Sequence, residues 1–269
     1  MPDPAPIGVY DSGIGGLSVL RSIRELLPHE TLIYLGDQAR VPYGPRPILE
    51  VRQFAEQVLG YLFGRGVKLV VVACNTASAA ALHHLRLTFP NIPIVGMEPA
   101  VKPAAEHTRT GVVGVLATPA TFQGELYASV VERFAQDVTV LQHAPLGLVE
   151  QIEKGELDAP ATRALLESAL LPMLARHIDT IVLGCTHYPF VIPLIQEIVG
   201  QGVRVIDPAP AIARRTRHIL EERSLLTPEP GTPPIEFLTT GDPAHMRVQI
   251  AQLLGLEAEP RQETSFIAS

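Results

Sequence analysis

The sequence predicts an α/β fold of two pseudo-symmetric domains, each a mostly parallel sheet flanked by helices. The active site is expected in the cleft between them. Three observations lead there. Short apolar, β-branched runs alternate with longer stretches of helical spacing. Two of those runs, Val70-Val71-Val72-Ala73-Cys74-Asn75-Thr76 and Ile181-Val182-Leu183-Gly184-Cys185-Thr186-His187, share one plan: a strand, a cysteine, a small polar pair, then a helix start. Each is preceded by a Gly-Val strand ending in a polar turn. Gly8 lies 66 residues before Cys74, and Gly114 lies 71 residues before Cys185. That internal similarity divides the chain into a first α/β domain at 1–98, a second at 99–209, and a return segment at 210–269 that packs on the first.

The elements follow in order. Pro6 to Tyr10 reads as a buried strand, and Asp11-Ser12-Gly13-Ile14-Gly15-Gly16 as a tight turn. Leu17 to Leu27 is helical, with Leu17, Leu20, Ile23 and Leu27 on one face. Strand, Gly-rich turn and helix start make a nest of backbone N–H groups suited to a carboxylate. The dinucleotide fingerprint is not met, because Ser18 stands where its third glycine belongs. Asp11 sits at a strand C-terminus, where open α/β sheets carry function; a helix N-cap is the equal alternative. Thr31 to Leu35 is a second strand, leading through Gly36-Asp37 to a Pro-rich loop with Tyr43-Gly44. Spacing alone makes Tyr43 a surface plug.

Ile48 to Phe63 is a helix, and Val67 to Ala73 is the strand delivering Cys74. Asn75 or Thr76 is the expected N-cap of the Ala-rich helix that follows, whose positive end favours a thiolate at Cys74. Ile92 to Gly96 is a strand. In the second half, helices are expected at Thr121 to Phe134, Leu146 to Gly155 and Ala159 to His177. Strands are expected at Gly111 to Ala117, Val138 to Leu141 and Asp179 to Leu183. Glu150 and Glu153 stand one turn apart, and spacing alone makes them a solvated face. Thr186-His187-Tyr188-Pro189 opens another helix. Val203 to Ile206 and Ile235 to Thr239 are strands, Ala211 to Leu226 is a helix, and Thr240-Gly241-Asp242-Pro243 caps a final one. The polar tail after Gly255 is expected to fray.

Composition narrows the function. The 269 residues are 46% hydrophobic, enough for one large core or two modest ones. No apolar run spans a bilayer and no signal-peptide pattern opens the chain, so a soluble cytoplasmic protein with reduced thiols is expected. A net charge of −7 argues against a nucleic-acid partner. Two cysteines are too few for a zinc site, and no metal or organic cofactor motif is present.

Two matched thiols suit inversion of a carbon acid beside a carboxylate. One face needs a base and the other an acid. A thiol titrating near ~8.5 can be tuned so that one partner is thiolate while the other stays protonated. Asp11 and His187 are candidates to assist the thiols. Ser12, Asn75, Thr76 and Thr186 are candidates to hold carboxylates.

Together, Asp11-Ser12-Gly13-Ile14-Gly15-Gly16, Gly36-Asp37 with Val41-Pro42-Tyr43-Gly44, Ala73-Cys74-Asn75-Thr76 and Leu183-Gly184-Cys185-Thr186-His187 resemble the glutamate racemases over nearly the whole chain. That resemblance implies cofactor-independent racemisation of glutamate, supplying D-glutamate for peptidoglycan, by a homodimer with neither nucleic-acid nor membrane partner. It assigns catalysis to Cys74 and Cys185, assisted by Asp11, His187 and Glu153. Glu153 enters only through the match of Leu148-Val149-Glu150-Gln151-Ile152-Glu153-Lys154-Gly155. Substrate contacts fall on Asp11, Ser12, Tyr43, Gly44, Asn75, Thr76, Thr186 and His187. By the same analogy, Cys74 takes the proton from D-glutamate and Cys185 from L-glutamate. The short N-terminus carries no expectation of control by a cell-wall precursor. Three other readings predict different behaviour. An aspartate or hydantoin racemase would turn over a different acid. A two-lobed binding module would bind without turnover, and two core cysteines would tolerate serine.

Overall fold

A computed structural model describes residues 3–267. The first half runs β1 (Ile7–Asp11), α1 (Leu17–Leu26), β2 (Leu32–Gly36), α2 (Ile48–Gly64), β3 (Leu69–Val72), α3 (Asn75–Thr88) and β4 (Ile94–Gly96). After α4 (Val101–His107) come β5 (Val112–Ala117), α5 (Pro119–Gln123), α6 (Glu125–Phe134), β6 (Thr139–His143) and α7 (Leu148–Glu153). Then follow α8 (Pro160–Leu174), β7 (Thr180–Gly184), α9 (Ile192–Val199) and β8 (Arg204–Ile206). The chain closes with α10 (Ala209–Glu222), β9 (Glu236–Thr239), α11 (Pro243–Leu254) and β10 (Arg261–Gln262).

Every strand pairing is parallel. One sheet has the order β10-β9-β2-β1-β3-β4 and the other β6-β5-β7-β8. Strands buried on both faces need unbroken apolar sequence, and β1, β2, β3 and β7 are buried at every position. The order β2-β1-β3-β4 is repeated as β6-β5-β7-β8. The repeat extends to register: Gly8 pairs with Val70 and Gly114 with Ile181, each four residues before its cysteine. In both sheets the chain reverses direction of build-up between the first and third strands. Ligands bind at the carboxyl ends of strands at such a switch point. Those ends carry Asp11 and Cys74 in one sheet, and Thr118 and Cys185 in the other.

β9 adds to β2, and α10 packs against α1, so the closing segment lies on the first sheet. A buried apolar cluster joins the halves, running from Val9, Ile14 and Leu17 to Leu148, Ile152 and Leu183. Among the described residues no helix is long and apolar enough to cross a membrane.

Four elements differ from the sequence expectation. The helix expected over 121–134 is split at Gly124, which is extended and lies so close to α3 that a Cβ would sit 2.7 Å from that of Ala79. Tyr188–Val191 is a tight 3-10 turn that precedes α9. The short α4 has no counterpart in the sequence reading. The described part of the tail after Gly255 is not frayed: β10 pairs with β9, and Phe266 lies near Tyr61 with ring centroids 5.2 Å apart.

Candidate active site

The C-terminal ends of both sheets face a cavity of about 110 Å³. From the first half, Ser12, Tyr43, Gly44, Cys74, Asn75 and Thr76 line it. From the second come Thr118, Glu150, Cys185, Thr186 and His187. Both cysteines are buried and unbonded. Asp11 and Glu153 do not line the cavity; they stand one side chain behind its wall.

The two thiols have different surroundings. Cys74 is the residue before α3, and its Sγ accepts the Ala77 N–H at 3.4 Å. This makes Cys74 itself the N-cap, in place of the expected Asn75 or Thr76. Its thiol donates to Ser12 Oγ at 3.7 Å. Burial and the charge of Asp11 push the Cys74 thiol far up, although the Ala77 N–H and Ser12 favour the thiolate. The helix start does favour the thiolate, as expected, but burial and Asp11 outweigh it. A helix N-terminus is worth about 0.3–1 kcal/mol, whereas desolvating an ion costs several.

Cys185 instead has a base beside it. Its Sγ is 3.7 Å from His187 Nδ1, and His187 Nε2 is 2.7 Å from Glu153 Oε1. Burial alone would lower the His187 pKa. The bonds and charges of Cys185 and Glu153 outweigh it and hold the imidazole well above its usual range. Burial likewise raises Glu153, but the bond and charge of His187 and the Ile14 N–H outweigh it, so the carboxyl is held below its ordinary value. A carboxylate accepts only, so Nε2 carries a proton and Nδ1 faces the sulfur.

The Gly-rich turn explains how Glu153 comes to be there. Its Ile14 N–H donates to Glu153 Oε1 at 3.0 Å. The anion nest read from the sequence thus seats a carboxylate of this chain. A Cβ on Gly13 would overlap that carboxylate, and one on Gly15 would overlap the His187 ring and stand 2.6 Å from Thr186 Oγ1. The glycines are required by close approach of the second half. Spacing on α7 had placed Glu153 on a solvated face; its side chain is only 13% exposed, because partners remote in sequence cover it.

Asp11 is not the cap of α1. Its Oδ1 accepts the Gly13 N–H at 2.8 Å, and its Oδ2 accepts the Thr186 hydroxyl at 3.1 Å. Burial raises its pKa against the opposing pull of His187. Tyr43 is no surface plug. It is buried, accepts from Tyr10 at 2.8 Å and donates to Asp37, which also pairs with Arg40 at 2.7 Å. Thr76 and Thr118 share a hydroxyl contact at 2.9 Å. Sequence reasoning missed Thr118, although it lies four residues after Gly114 as Ser12 lies four after Gly8. Asn75 stands out because both its side-chain Nδ2 and Oδ1 are buried without a hydrogen-bond partner. Such orphans are rare and mark a place where a ligand's polar groups fit. Among the described residues no group of three His, Cys, Asp or Glu side chains is placed to hold a metal ion.

Comparison with known proteins agrees with this architecture. The family model described as Asp/Glu/Hydantoin racemase matches residues 7–216. A glutamate racemase of Roseiflexus sp. (strain RS-1) is 55% identical over 239 residues, covering 88% of this chain and 88% of that protein. The crystal structure of glutamate racemase isoform RacE1 from Bacillus anthracis has a TM-score of 0.87 at 33% identity, covering 96% of this chain and 97% of that one. The glutamate racemase from Francisella tularensis, solved in complex with D-glutamate, has a TM-score of 0.84 at 31% identity and covers 97% of each chain. With this fold, and with matches of this extent, the chain belongs to the Asp/Glu/Hydantoin racemase family, among its glutamate racemases.

Proposed function

We propose that this protein interconverts L- and D-glutamate by a two-base mechanism in which Cys74 and Cys185 act on opposite faces of Cα. The observation that carries the reading is the pair of unbonded thiols on one cavity, one beside His187–Glu153 and the other beside Ser12 and Asp11. A cavity of about 110 Å³ suits one small amino acid. Asn75, Thr76, Ser12, Thr186 and the loop at Tyr43-Gly44 supply donors for carboxylates.

Cys185 and His187 share one proton: with the imidazole holding it at Nδ1, the Cys185 thiolate takes the Cα proton of L-glutamate. The electron pair left on Cα delocalises into the adjacent carboxylate. The Cys74 thiol then donates its own proton to the other face, yielding D-glutamate and a Cys74 thiolate. Exchange with solvent or the reverse reaction resets both groups. A protonated Cys74 facing a Cys185–His187 base is the arrangement required to begin from L-glutamate. Asp11 acts from behind the wall, orienting Thr186 and setting the charge beside Cys74. The step calls for no cofactor. The same reading makes the protein a cytoplasmic homodimer supplying D-glutamate for peptidoglycan, and light scattering in solution tests the assembly.

Incubation with L-glutamate in D2O tests the chemistry. Loss of optical rotation with deuterium at Cα is expected, and aspartate should react far more slowly. Cys74→Ser and Cys185→Ser should each lower turnover roughly 10²–10⁴-fold with an unchanged circular dichroism spectrum. Near-wild-type rates in either variant would refute the assignment.

A further inference from the structure

The carboxylate of Glu153 is held from a direction that the racemisation chemistry above does not use. Gln249, on α11, is 3% exposed. Its Nε2 donates to the Glu153 backbone carbonyl at 2.6 Å and approaches Glu153 Oε2 at 3.3 Å. Its Oε1 accepts from Gln38 Nε2 at 2.7 Å, and Gln38 Oε1 accepts from the Thr239 hydroxyl at 2.8 Å. Thr239 Oγ1 in turn accepts the Gly241 N–H at 3.0 Å.

The polarity of this chain is fixed from the Glu153 end. Glu153 offers only acceptors there, so Gln249 must turn its NH2 toward it and its carbonyl toward Gln38. At the far end the Thr239 hydroxyl accepts the Gly241 N–H and donates its own hydrogen to Gln38 Oε1, which agrees with the order set at Glu153. Neither amide can flip without leaving two like groups facing each other in a buried site, at a cost of about 1–3 kcal/mol. The relay therefore specifies one orientation of the Glu153 carboxylate, with Oε1 aimed at His187. Two of its members, Thr239 on β9 and Gln249 on α11, lie beyond the 7–216 match to the family model, while Gln38 lies within it.

We propose that Gln249, oriented by Gln38 and Thr239, is a positioning residue for the Glu153–His187 pair and through it for proton transfer at Cys185. The proposal rests on the two-thiol reading. Without Gln249 the carboxylate keeps the Ile14 N–H and His187 on Oε1 but loses its anchor on Oε2, and its aim at His187 loosens. The imidazolium is then less firmly paired, and the thiolate of Cys185 loses part of its stabilising charge.

The sequence supplies a clean probe, since Cys74→Ser leaves Cys185 as the only thiol. In that background the rate of Cys185 alkylation by iodoacetamide at pH 7, relative to pH 10, reports the thiolate fraction. Gln249→Met, which keeps the length and removes the donor, should lower this ratio roughly tenfold. In the chain with both cysteines it should lower kcat roughly ten- to a hundredfold with little change in KM. Gln252→Ala is the control. Gln252 sits one turn on and binds only the Gly155 carbonyl at 2.9 Å, so its loss removes a brace on the same loop and should leave the alkylation ratio unchanged.

A Gln249→Met protein that loses thermal stability but keeps the ratio overturns the proposal. If that variant does not fold, Gln38→Met takes its place, with a smaller fall expected in the same direction and an unchanged ratio again overturning it. Glu153→Gln separates this proposal from the reading beneath it. If Glu153→Gln also leaves the ratio unchanged, the His187–Glu153 base is what fails. If it lowers the ratio and the glutamine variants do not, only the role of Gln249 fails.

Discussion

Asn75 shows at a single residue how the site trades cohesion for binding. A buried amide with no partner costs stability, on the order of 1–3 kcal/mol, and nothing else in the fold uses its two polar atoms. Asn75→Leu removes the unpaired dipole while keeping the approximate shape. The melting temperature should rise by a few degrees, and KM for glutamate should rise at least tenfold, read by calorimetry and steady-state kinetics on one preparation. A fall in melting temperature would mean that the amide has a structural partner after all. The contrast with Cys74 is instructive. Asn75 is legible in the sequence only as a polar residue after a strand, and either a cap or a contact fits. Local order made the cap the natural choice, but the Cys74 sulfur reaches the Ala77 N–H first. The amide is thereby left free to face the cavity.

Elements tell the same story at longer range. The strands were legible because a parallel sheet covered on both faces demands continuous apolar runs, and β1, β3 and β7 supply them. The repeat was legible too, through the similar spacing of Gly8 and Gly114 to the two cysteines, whereas the matched register is visible only in the structure. The role of α7 was not. A six-residue helix with two glutamates has the pattern of a solvated surface, and no periodicity reveals that α11 and the turn at 13–15 will cover it. What the sequence does contain is the mould: glycines at 13 and 15 where Glu153 and His187 press in. Gly15→Ala should therefore act on chemistry more than on folding. The added methyl displaces the His187 ring from Cys185, and kcat should drop roughly a hundredfold. The cost in stability is the ~1–3 kcal/mol of local overpacking. Kinetics paired with urea denaturation would show this split, whereas a loss of stability with kcat intact would place the ring elsewhere.

For the molecule as a whole, polar contacts that tie the two halves at the seam also hold the site, above the apolar cluster that joins them. Glu153 takes the Ile14 N–H, Thr186 donates to Asp11, and the Ser18 hydroxyl donates to the Thr186 carbonyl at 3.1 Å. Cohesion across the seam should then follow the charge of Glu153 and His187. Glu153 is held below its ordinary 4.5 in the folded state, so its stabilisation is complete above that value. It is lost as pH falls through the lower folded value. His187 is held above its ordinary 6.5, so its stabilisation is complete below 6.5 and is lost as pH rises through the raised folded value. Both are fully present only between pH 4.5 and 6.5. Glu153→Gln removes the pair without removing its volume, and the difference in melting temperature between wild type and this variant cancels the titrating groups that Glu153 does not touch. That difference should be largest inside the window and shrink on both sides. A difference that stays constant from pH 4 to pH 9 would show that the Glu153–His187 bond contributes no charge-dependent tie, and that the apolar cluster beneath the cavity joins the halves alone.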